Sequence, residues 1–140
     1  MRTPDSLLMQ HYREKADHFF KAMDHLAGDM GFARTSVGLL AVHSAISLND
    51  AIMAGTKGSR SKGEDHRTAA AELAKMCGEL KVANLQGIEH FRWLLKKKTS
   101  IAYGNERISD SDLKLSVDKA TRFLDWAYRQ FKEVLRSEEA

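Results

Sequence analysis

Proline is almost missing from this 140-residue chain: the single one, Pro4, lies at the very start. From residue 5 onward nothing carries the ring that removes a backbone donor and breaks helices. Cysteine is equally scarce. A lone Cys77 excludes an internal disulfide, and a reducing, cytoplasmic compartment is the expectation. No unbroken apolar run approaches the roughly 18 residues of a membrane span, and the first residues lack the apolar segment of a signal peptide, so no membrane partner is expected. Excess charge is small: 22 basic against 19 acidic residues leave +3, which permits an acidic partner without demanding one. Few stretches alternate polar and apolar residues as a half-buried strand does. What remains is 43% hydrophobic and 29% charged, a composition that excludes disorder, in a length that fits one domain over 1–140.

The apolar residues recur at threes and fours. Met9, Tyr12, Ala16, Phe19, Met23, Leu26 and Met30 make one stripe, which predicts a first helix over about 4–27 with Thr3 as N-cap and Pro4 in its first turn. A second helix over about 32–54 is apolar on most of its circumference and should be the central one. The loop that follows, GTKGSRSKGE, holds a capping-box spacing at Ser61 and Glu64. An alanine-rich third helix over about 64–77 should end at Gly78. A fourth, over about 82–102, presents Leu85, Ile88, Phe91, Leu95 and Ala102, and Gly104 and Asn105 open a turn. Ser109 or Ser111 caps a fifth helix, which reaches about residue 137 with Leu113, Val117, Ala120, Leu124, Ala127, Phe131 and Val134 as its stripe. The expected fold is all-α, an up-and-down bundle of four long antiparallel helices plus one short helix. Phe123, Trp126 and Tyr128 lie outside the last stripe, and a homodimer through that apolar helix surface would bury them.

Metal chemistry finds little support. His11, His18 and His25 recur every seven residues on the first helix, which aligns them but leaves about 10 Å between neighbours. One zinc ion, with bonds of about 2 Å, cannot bridge that gap. They read as boundary residues beside the apolar seam, or as a pH-sensitive interface. No H-E-x-x-H and no paired cysteine occurs, and no metal or cofactor is expected. There is no G-x-S-x-G, and Gly55, Gly58 and Gly63 lack the ending of a phosphate-binding loop. Cys77 has no histidine nearby in sequence and reads as inert.

Two constellations stand out. His43, Ser47 and Asp50 share one face of the apolar second helix, with Asn49 beside them. Their natural partners are Ser59, Arg60, Ser61, Lys62, Asp65, His66 and Arg67 on the next loop. One reading is a hydrogen-bonded network that ties the loop down, since a lone buried polar group costs on the order of 1–3 kcal/mol. The other is a site where Asp50 and His66 do acid–base work on a ligand held by Arg60 or Lys62. The second constellation is Lys96, Lys97 and Lys98, then Tyr103 and Arg107. It reads as a solvated helix cap that complements the dipole, or as a patch for a phosphate backbone with Tyr103 as a stacking group.

The stretch VGLLAVHSAISLNDAIMAGTKGSRSKGEDHRTAAAEL, residues 37–73, resembles bacterial proteins of the HEPN-like superfamily whose second helix carries an aspartate before a loop ending in Asp-His. LLKKKTSIAYGNERIS and the helix after it are similar to the last two helices of that superfamily, so the resemblance covers most of the chain. It implies a helical bundle, usually dimeric. It also implies a metal-independent ribonuclease, a nucleotide-binding module, or a toxin–antitoxin component with a protein partner. Active members carry an arginine, then four to six residues, then a histidine, near the start of the last long helix. Here no histidine follows His90, and the matching place holds Lys98 and Tyr103. Arg60 and His66 match the spacing elsewhere, which leaves two expectations: a non-catalytic dimeric module that binds RNA, a nucleotide or a protein, or a divergent ribonuclease using Arg60, His66 and Asp50.

Overall fold

The computed structural model describes residues 4–59, 68–104 and 107–136, without the side chains of 29–32. The first helix, α1 (Ser6–Leu26), starts at Asp5, whose carboxylate accepts a hydrogen bond from the Leu8 N–H. Asp5, not Thr3, is therefore the cap, because its extended backbone and short acceptor side chain satisfy an orphan donor of the first turn. Pro4 precedes the helix rather than opening it. Met9, Ala16 and Met23, two turns apart, are the buried line of α1, while His11, His18 and His25 stand exposed on another face.

After a single 3-10 turn, Ala27–Asp29, the chain enters α2 (Met30–Lys57), whose backbone is non-helical at Ala33. This is the central helix. It touches every other helix, and from Ala41 to Ala54 only His43 and Asp50 are less than fully buried. It is long and apolar enough to cross a membrane by length and composition. Most of that stretch is buried against the other helices, as in the core helix of a bundle. The helix runs past the expected end at 54 because Gly55 is a packing position. A Cβ there would stand 2.7 Å from Val134 Cγ1 and 3.0 Å from Met9 Cγ, so the missing side chain lets three helices meet.

The third helix, α3 (Ala69–Glu79), begins five residues later than the alanine pattern implied; Ser61 and Glu64 lie outside the described residues. Gly78 falls inside its last turn. The stop is made by Lys81, which adopts φ 58°, with the Val82 N–H donating to Cys77 O at 2.8 Å and the Lys81 N–H to Gly78 O at 3.3 Å. That is a Schellman ending with lysine where glycine is usual, a left-handed backbone that costs an L-residue roughly 1–2 kcal/mol.

The fourth and fifth helices, α4 (Gln86–Tyr103) and α5 (Asp110–Gln130), pack on each other and on α2. Residues 82–85 are not helical, so Leu85 is an exposed cap residue rather than core, and Ile101, not the exposed Ala102, closes the apolar face of α4. Ser109 caps α5, its hydroxyl accepting from the Asp112 N–H at 3.1 Å. The helix stops at Gln130: Phe131 leaves helical geometry, and one turn, α6 (Lys132–Leu135), follows. Among the described residues all regular structure is helical.

The aromatic strip expected to meet a second copy is instead interior. Phe123 and Trp126 are buried, Phe123 stacking on Phe91 at 4.8 Å between ring centres and Trp126 meeting Phe131 edge-on at 5.7 Å. The indole N–H donates to Asn84 O at 2.9 Å. The half-buried Tyr128 donates to Asp17 of α1 at 2.6 Å; burial, reinforced by that carboxylate, pushes its phenol up from the ordinary range. Residues outside the stripe of one helix look like spare surface because periodicity cannot show how many flanks are covered, and here α2 and α4 both pack on α5.

Candidate functional site

The polar positions of α2 divide. Ser47 and Asn49 are buried; His43 and Asp50 are half-buried and each engages a partner. The His43 ring lies 6.0 Å from that of Phe19, so this face of α2 looks toward α1. Of the loop half of that constellation, Arg60, Ser61, Lys62, Asp65, His66 and Arg67 lie outside the described residues.

The other constellation gathers more than its sequence suggested. Where α4 ends and α5 begins, two hollows share a wall of Ser100, Ile101, Gly104, Arg107 and Ile108. The larger, about 540 Å³, is completed by Ala33, Arg34, Thr35, Ser36 and Ala102. The smaller, about 310 Å³, is completed by Lys97, Ser109 and Asp112. Lys98 and Tyr103 line neither: Lys98 is half-buried on the next position of α4, and Tyr103 stands 81% exposed at the helix end.

Arg34 is the residue that sequence reasoning missed. It follows the irregular Ala33 and opens the regular part of α2, the positive end of a helix dipole, where a cation is misplaced unless an anion comes to it. That electrostatic mismatch was the available signal. The anion comes from 76 residues away: one guanidinium nitrogen, Nη1, donates to Asp110 Oδ1, and Nη2 donates to the carbonyl of Ile108. The Arg34 side chain is only 12% exposed, whereas Asp110 is 80% exposed. The Arg34 Nε–H is buried and has no acceptor among the described residues. Hydrogen bonding from Arg34, and then its charge, hold the Asp110 carboxyl below the ordinary carboxylate range.

The remaining charges are arranged unevenly. Lys97 in the smaller hollow is neutralised by Asp112 at 3.1 Å and lies 5.6 Å over the Trp93 ring. Arg107, exposed and shared by both hollows, has no carboxylate within ion-pair distance among the described residues. Among the described residues the lining of the larger hollow thus has two guanidinium groups, three hydroxyl side chains and no carboxylate, Arg34's partner Asp110 lying outside it. Such a lining attracts an anion and offers it donors. Among the described residues no three histidine, cysteine or acidic side chains are grouped as metal ligands, and the Cys77 thiol is buried and pushed up by that burial. No family model, curated protein or solved structure matches this chain.

Proposed function

We propose that the chain is a HEPN-like module, an up-and-down bundle of four long helices and a short one, that binds RNA without cleaving it. The RNA backbone lies across the end of the bundle where α4 turns into α5. The observation that carries this reading is that Arg34 and Arg107 line one hollow whose lining, among the described residues, holds no carboxylate. Phosphate diesters satisfy guanidinium groups with charge and with two acceptor oxygens, and hydroxyls such as Ser36 and Ser100 supply further donors. Tyr103, exposed beside this turn, is placed to stack on an unpaired base.

The test is fluorescence anisotropy of a labelled single-stranded RNA with the purified chain at several salt concentrations. Binding should appear by about 100 µM protein, the weak end of non-specific nucleic-acid affinity, and weaken linearly on a logarithmic salt axis. Arg107→Gln should reduce the salt slope by about one unit at unchanged fold. Absence of salt-dependent binding at that concentration would overturn the proposal.

A further inference from the structure

A second property follows at the same turn, and it rests on the phosphate-binding reading. Arg34 already has an anion. We propose that Asp110 is a resident stand-in on Arg34, and that an incoming phosphate must displace this carboxylate to bind, so that Asp110 sets the affinity threshold of the site.

The asymmetry of the pair makes the carboxylate the partner that leaves. Arg34 is nearly buried and anchored by its second bond, to the Ile108 carbonyl. Asp110 is in the first turn of α5 with its carboxylate mostly in water, and a single oxygen holds it to the guanidinium. Released, it loses little, because solvent and the nearby Arg107 receive its charge. The guanidinium gains by the exchange. It has five N–H donors in a fixed fork, and its buried Nε–H lacks an acceptor among the described residues. A phosphate diester matches the two acceptor oxygens of the carboxylate and, seated in the hollow, meets Arg34 and Arg107 together. The hollow beside Arg34 is large enough to receive it, at about 540 Å³. Because Arg34 also ties α2 to the α4–α5 turn through Ile108, the exchange occurs at the joint between three helices.

The experiment compares the intact chain with Asp110→Asn and with Asp118→Asn. Asp118 pairs with Arg122 farther along α5 and lines neither hollow, so its variant removes the same charge without touching Arg34. The probe is a fluorescein-labelled oligouridylate at fixed salt. Asp110→Asn should bind about threefold tighter than the unaltered chain, the scale of one exposed ion pair, and Asp118→Asn should shift affinity by less than half as much. A second readout follows the Arg34 Nε–H resonance by NMR while unlabelled oligouridylate is added. It should move on binding, and its starting position should differ in Asp110→Asn. Equal gains in both variants overturn displacement and leave a general charge effect. Binding by the unaltered chain with no gain in Asp110→Asn, or with the Arg34 resonance unmoved at saturation, overturns displacement and keeps the phosphate-binding reading. No binding by any of the three proteins overturns both.

Discussion

The two ends of the α4–α5 pair are built on opposite principles. At one end Phe91, Phe123, Trp126 and Phe131 interlock, and the only polar atom they bring, the indole N–H, is spent on Asn84 O. At the other end the helices part around two hollows lined by Arg107, Lys97 and hydroxyls, with Arg34 reaching in from α2. The rings of the first end are buried, so substitutions there should read out as stability. The second is open and charged, and its packing has little left to lose, so substitutions there should read out as binding. One pair of helices can separate these tasks because stacked rings at one end hold the register while the far end stays open.

The largest break in this contrast comes from Phe123→Ala. Removing a fully buried, stacked ring should cost about 3–5 kcal/mol in urea unfolding and leave a cavity against Phe91. A cost below about 1 kcal/mol would show that the ring is not the keystone of that end. Next is Gly87→Ala. The first turn of α4 presses its Gly87 backbone onto the Trp126 indole, so closely that a methyl group would overlap the ring. Overpacking of this kind costs about 1–3 kcal/mol, and the near-ultraviolet signal of the indole should change with it. An unchanged spectrum and stability would mean that the two helices can slide apart there freely.

His90 sharpens the comparison through pH. It sits on α4 one residue before Phe91; burial first, then Lys119 and Arg122, lower its pKa from the usual 6.5, while Asp118 and Glu89 pull the other way. Its buried Nδ1 has no hydrogen-bond partner among the described residues. The folded chain thus binds this proton less readily than the unfolded chain. The stability it contributes is complete above pH 6.5 and is lost as pH falls from there through the folded value. The urea midpoint should decline on acidification across that window, and His90→Gln should flatten the decline. A steeper decline in the variant would reverse the sign. The smallest stability effect belongs to the open end: Arg107→Gln should leave unfolding within about 0.5 kcal/mol of the unaltered chain while weakening RNA binding.

Much of the fold was legible one helix at a time. The seven-residue spacing of Met9, Ala16 and Met23 and the apolar girth of residues 37–54 are local patterns, and local patterns suffice for helices. The Ser109 cap was legible for the same reason. Helix ends were less so. Gly55 and Gly78 look like stops, yet both are helical, the one because neighbouring side chains need its space and the other because Lys81 makes the turn instead. The site was half legible. Lys97 and Arg107 were visible as a basic cluster, but Arg34 was not, since its partners are 74 and 76 residues away.

By itself, then, the sequence determined that this protein is helical and which helix lies innermost. Without proline past residue 4, and with apolar residues at helical spacing, no other regular structure could bury them. Only the tertiary structure decided that Phe123 and Trp126 face inward, that Leu85 faces water, and that Arg34 meets Asp110 at the mouth of a hollow. Those outcomes depend on which flanks of each helix a neighbour covers. Helix period reports the angle of a side chain around its own axis, and says nothing of what stands opposite.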